Sequence, residues 1–195
     1  MRSIYVLLTR SKTIASRMIY VFTRARFTHS SLSFGKELDQ LYSFGRTYAH
    51  LPLPAGFRIE SLRKGFYKNN SQIPCALYEF RVSEESYDAA IEIIDRMTSS
   101  GIDYRYNIIG LLLCRLGITH KRKHKYFCSE FIAEVLQESA AIEMPDPPSL
   151  TRPIDYASMP GAVCLYEGTV GELVAAIDGH LLYGTGPVFN IASAN

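Results

Sequence analysis

A chain of 195 residues, 47% hydrophobic and 21% charged with a net charge of +2, has the length for one substantial core, so a single domain over residues 1–195 is expected. Its composition excludes a disordered chain, and its small charge by itself implies no nucleic-acid partner. The four cysteines, Cys75, Cys114, Cys128 and Cys164, form no C-x-x-C pair, which excludes a zinc ribbon or dithiol motif and fits free thiols in a reducing compartment.

Basic residues dominate the N-terminal segment: Arg2, Arg10, Lys12, Arg17, Arg24 and Arg26 all precede the first acid, Glu37. Organelle transit peptides share that bias, but the segment lacks the apolar core and cleavage site of a secretory signal. The longest apolar runs, such as Ile108 to Cys114, fall short of the about 20 residues a membrane span needs. A soluble, cytoplasmic protein without a transmembrane segment is expected.

Along the chain, Ser3 to Thr9 reads as a strand and Lys12 to Phe22 as a helix with Ile14, Met18 and Val21 on one face. Arg26 to Phe34 alternates as a strand, turns at Gly35 and Lys36, and pairs with a second strand over Leu41 to Arg46. A Pro/Gly loop from Leu51 to Gly56 precedes strands at Phe57 to Leu62 and Cys75 to Val82. Ser83 caps a helix carrying Tyr87, Ile91, Ile94 and Met97 at helical spacing, and Gly101 stops it.

Asn107 to Leu116 reads as an apolar helix, and another starts near Cys128 with Phe131, Ile132, Val135 and Leu136 as its buried face. Pro145 to Pro160 is a loop, Ala162 to Tyr166 a strand, and Thr169-x-x-Glu172 a capping box opening a last helix. The expected class is α+β, an antiparallel sheet packed against helices.

A thiol at the start of an amphipathic helix has chemical consequences. The unpaired N–H groups and the helix dipole stabilise the thiolate there, and the same groups can receive an oxyanion. Among the four cysteines only Cys128 has this position; Cys75, Cys114 and Cys164 lie in apolar settings that suit core filling. A thiolate hydrolase also needs a base that shuttles a proton near neutral pH. His29, in Phe27-Thr28-His29-Ser30-Ser31-Leu32, interrupts a strand pattern; by itself it reads first as a satisfied core or surface histidine.

Together, Phe27-Thr28-His29-Ser30-Ser31-Leu32 and Tyr126-Phe127-Cys128-Ser129-Glu130-Phe131-Ile132-Ala133 resemble the circularly permuted NlpC-type papain-like peptidases, specifically the YiiX/YebB-like group. Leu41-Tyr42-Ser43-Phe44-Gly45-Arg46, Gly56-Phe57-Arg58-Ile59-Glu60 and Tyr106-Asn107-Ile108-Ile109-Gly110 also look like landmarks of such sequences, so the resemblance covers most of the chain. It implies a permuted papain-like fold and a cysteine peptidase or amidase with Cys128 as nucleophile and His29 as base. The substrate would be a small peptide-like or cell-wall-derived amide, and no metal or cofactor is needed.

In that group a polar residue on the strand after the histidine orients the imidazole, and Ser43 lies nearest that position. A serine hydroxyl is neutral and short, a weaker orienter than a carboxylate, and Glu60 is the alternative. Arg46 is a candidate for pairing with a substrate carboxylate, with Tyr42 and Tyr126 as further candidate substrate contacts.

Two other readings compete with amide hydrolysis. Relatives resembling lecithin retinol acyltransferase share the fold, which implies lipid-directed acyl transfer or thioesterase chemistry. The basic run Lys121-Arg122-Lys123-His124-Lys125 suits a non-catalytic module for an anionic polymer, although no nucleic-acid motif accompanies it. His120, His124 and Cys128 recur at four-residue spacing, but the cations around them oppose binding of a metal dication.

Overall fold

The computed structural model describes residues 1–10, 26–46 and 55–182, without the side chain of Arg46. From Ile4 to Thr9 every residue is buried, which a strand shows only when both faces of its sheet are covered. Ile4, Val6 and Leu8 enter one apolar cluster and Tyr5 and Leu7 another, following the two-residue alternation of a strand.

Among the described residues, eight strands form one open sheet. In chain order they are β1 (Arg2–Thr9), β2 (His29–Ser33), β3 (Leu41–Arg46), β4 (Ala55–Glu60), β5 (Pro74–Val82), β6 (Arg105–Tyr106), β7 (Lys125–Tyr126) and β8 (Ala162–Thr169). Their spatial order is β7-β6-β4-β3-β2-β1-β5-β8. Every pairing is antiparallel except that of β6 with β7, where Tyr106 lies opposite Tyr126.

Helices α1 (Gly65–Lys68), α2 (Glu84–Ser99), α3 (Ile108–Arg115), α4 (Cys128–Glu138) and α5 (Val170–Asp178) complete an α+β architecture. α2 and α4 pack on the first cluster through Tyr87, Ala90, Ile94, Phe131, Ile132 and Leu136; α1 and α5 supply Tyr67, Val170, Leu173 and Ile177 to the second. The expected face of α4 is fully used: Phe131, Ile132, Val135 and Leu136 are all buried, each burial contributing about 1.5–3 kcal/mol. Phe131 also meets the rings of Phe44 and Phe57 at centroid distances of 5.2 and 5.7 Å, seating the helix start on β3 and β4. Ser83 accepts the Ser86 N–H, and Thr169 and Glu172 form the reciprocal capping box, as their spacing predicts.

The expected helix at 12–22 lies outside the described residues, as do positions 51–54 of the expected Pro/Gly loop. Ala55 and Gly56 are not loop but open β4. Gly56 pairs with both Gly45 and Arg105, and a Cβ there would collide with the Tyr104 carbonyl oxygen; glycine at this position permits the strand contact rather than a turn. The strand expected from Arg26 is shorter, starting at His29. No helix among the described residues is long and apolar enough to cross a membrane.

Candidate active site

Cys128 is the first residue of α4, and the turn it opens is held from three directions. Glu130 Oε2 accepts the Phe127 N–H and Asn107 Nδ2, both at 3.2 Å. Phe127 has no acceptor to return, so this is half of a capping box. Ser129 Oγ donates to the Thr151 carbonyl and the Tyr156 hydroxyl to the Ser129 carbonyl, each at 2.7 Å. Asn107 meanwhile caps α3 by accepting the Gly110 N–H at 3.0 Å. A Cβ at Gly110 would strike the Asn107 side chain, which gives the Asn107-x-x-Gly110 spacing a physical reason.

Glu130 is fully buried and its Oε1 has no hydrogen-bond partner. Burial pushes its carboxyl up to about 7, against the opposing pull of the Phe127 N–H and Asn107.

His29 sits where β2 begins, opposite Thr9 of β1. Its Nε2 lies 3.5 Å from Glu60 Oε2 and 3.4 Å from Ser31 Oγ. Ser43 donates to the same Glu60 oxygen at 2.9 Å. The imidazole is 20% exposed, so one edge meets solvent while the rest is enclosed.

The charges around this ring are strongly biased. Burial alone would depress the imidazole, but hydrogen bonds and negative charge from Cys128 and Glu60 push it up to about 10. Burial alone would raise Glu60, yet the hydrogen bond and charge of His29, with Ser43 and Arg58, hold it below the usual carboxylate range. For Cys128, burial again favours the neutral form; the hydrogen bond and charge of His29, then the Ser30 N–H and hydroxyl, bring the thiol below its ordinary value. A depressed thiol beside an elevated imidazole is the charge distribution of a thiolate–imidazolium pair.

Two further groups face the sulfur. Ser30 Oγ is fully buried and has no partner apart from its action on Cys128. The Tyr106 phenol is held neutral by burial and by the negative charge of Cys128 beside it. Sequence reasoning names Tyr106, one of 13 tyrosines, only inside the Tyr106-Asn107-Ile108-Ile109-Gly110 landmark and gives it no role at the thiol.

The structure therefore brings Cys128, His29, Glu60 and Ser43 together, with Ser43 bonded to Glu60 and Glu60 beside the ring. Tyr42 donates to Gln40 and stacks near Phe34 and Phe57, whereas Tyr126 packs on Phe44 and Tyr104. Tyr106 is a tyrosine whose phenol feels the Cys128 sulfur. The side chain of Arg46 lies outside the described set.

Burial raises the other thiols, Cys75 to about 12 and Cys114 to about 11, with Cys164 also above its ordinary value. His120 and His124 occupy the segment between α3 and β7 rather than a helical face, and His124 packs edge-on against Tyr104. A cleft of about 360 Å³ lined by Cys114, Thr151, Arg152 and Asp155 does not include Cys128 in its lining. No protein-family model matches the chain, and no curated protein matches it.

Proposed function

We propose that this chain is a papain-like cysteine hydrolase of the permuted NlpC type, YiiX/YebB-like, cleaving an amide in a peptide-like or cell-wall-derived substrate. The observation that carries the reading is the grouping of Cys128, at the start of α4, with His29 and with Glu60, whose Oε2 lies 3.5 Å from the ring Nε2, the thiol lowered and the imidazole raised. The His-before-Cys order and the Cys128-Ser129-Glu130 setting, which resemble that group, support it independently.

In the proposed reaction the Cys128 thiolate attacks the carbonyl carbon, forming a C–S bond while the carbonyl electrons move to oxygen. The N–H groups of the first turn of α4 and the Tyr106 hydroxyl would receive the developing oxyanion in this reaction. Because Nε2 of His29 faces Glu60, proton transfer to the departing amine falls to Nδ1. The C–N bond then breaks and leaves an acyl-enzyme. Water, deprotonated by the now neutral His29, attacks this thioester and releases the acid and the thiolate. Glu60 holds the imidazolium, and Ser43 holds Glu60.

A lipid-directed acyl transfer or thioesterase activity is the second reading, favoured by the exposed Ile108, Ile109 and Leu112 on the helix that follows Tyr106. The test compares wild type with Cys128→Ala on muropeptide amides and acyl esters under identical conditions. Amide turnover lost in the variant supports the primary reading. Ester turnover without amide turnover moves the assignment to lipids, and no thiol-dependent turnover leaves a binding module for an anionic polymer.

A further inference from the structure

Six of the ten large apolar side chains exposed among the described residues fall between Ile102 and Ile118. Four of them, Ile108 (44%), Ile109 (50%), Leu112 (60%) and Leu116 (70%), belong to α3 and its C-cap. At 3.6 residues per turn these positions span an arc of about 100°, with the buried Gly110 and Cys114 on the opposite side. α3 thus turns an aliphatic stripe outward, the reverse of a helix that serves only a core.

Charge is concentrated on the same stretch. Residues 102–125 hold six Arg and Lys against one acid, Asp103, although the whole chain nets only +2. Arg105 is paired with Asp103 and Lys121 with Glu134. Arg115, Arg122, Lys123 and Lys125 have no carboxylate partner among the described residues.

We propose that α3 and the basic turn after it form a docking face for an anionic lipid bilayer, with the aliphatic stripe entering the acyl boundary and the cations resting among the headgroups. Such a surface offers both complements at once. A second copy of the chain, docked face to face, would set one cationic rim against another. The sequence at 11–25, 47–54 and 183–195 contains no Asp or Glu, so none of these segments offers an acidic side chain as counter-charge. A nucleic acid would satisfy the cations and leave the aliphatic stripe in water.

This inference does not depend on the thiol chemistry, and neither does its test. The full chain is sedimented with phosphatidylcholine vesicles with and without phosphatidylglycerol. Binding to the anionic vesicles alone, weakening as salt rises, is expected. Each cation near an anionic surface strengthens binding about fivefold, so Arg122→Glu with Lys123→Glu should weaken it at least about tenfold. Leu112→Ser with Leu116→Ser should cause a loss of similar size. Both pairs are exposed, so the melting temperature should stay at the wild-type value. The proposal is overturned if wild type does not bind anionic vesicles or if both double variants bind them like wild type. It is equally overturned if the leucine variant dissociates a dimer while vesicle binding is absent, or if the basic turn binds an oligonucleotide but no vesicle.

Discussion

Ser43 Oγ donates to Glu60 Oε2 at 2.9 Å, and that same oxygen stands 3.5 Å from His29 Nε2, so the hydroxyl acts on the imidazole only through the carboxylate. Glu60→Gln should lower the titration midpoint of His29, read by NMR, and reduce kcat by about 10²–10⁴, as loss of an orienting carboxylate does elsewhere. Ser43→Ala should move both in the same direction but cost kcat only about tenfold. Equal losses in the two variants would argue for a direct role of the hydroxyl.

The lowered Cys128 thiol and the raised His29 imidazole favour a thiolate beside an imidazolium. Brief iodoacetamide treatment of folded protein at mildly acidic pH should therefore modify Cys128 before Cys75, Cys114 or Cys164, as mapped by mass spectrometry. Removing the imidazole leaves burial to dominate the thiol, so His29→Ala should slow that modification by at least about tenfold. Earlier labelling of another cysteine would contradict the assignment.

Tyr106→Phe keeps the ring and deletes the hydroxyl that meets Cys128. If that hydroxyl stabilises the oxyanion, kcat should fall by about 10²–10³ with KM little changed. Alkylation of Cys128 should persist within severalfold. A packing role alone predicts an unchanged kcat.

Glu130 makes a separate prediction about stability. A carboxyl raised from its ordinary 4.5 to about 7 binds its proton more tightly in the folded chain. Stability is fullest below the ordinary value, falls as pH rises towards 7 and is then flat, a loss on the order of 3 kcal/mol. Glu130→Gln should lack this loss, so variant and wild type should diverge in melts at pH 8 relative to pH 5. Parallel pH dependence would show that Glu130 ionises normally.

The legible parts of this protein are those with a repeating local signal. α2 and α4 declare themselves by apolar spacing, and Ser83 and Thr169 by their caps; the structure places these elements within a residue or two of expectation. β6 and β7, two residues each, are too short for any period to register. Their pairing is what brings Tyr106 beside Cys128. Glu60 stayed only an alternative to Ser43 because ring contacts depend on how β2, β3 and β4 lie side by side, which alternation along one strand does not encode. The outward face of α3 was equally hidden, since an apolar run of that length reads as core from sequence alone.

His29 and Cys128 lie roughly a hundred residues apart in sequence and meet through β2 and α4, which bears on when reactivity arises during synthesis. A chain stalled before α4 carries His29 and lacks Cys128. A chain that has not yet docked α4 on β2 and β3 carries Cys128 as a thiol of ordinary acidity, because the groups that lower it, His29 and Ser30, reach it only through long-range contacts. The rate of Cys128 alkylation is therefore a readout of whether α4 has docked on the sheet, since the groups that lower this thiol reach it only then.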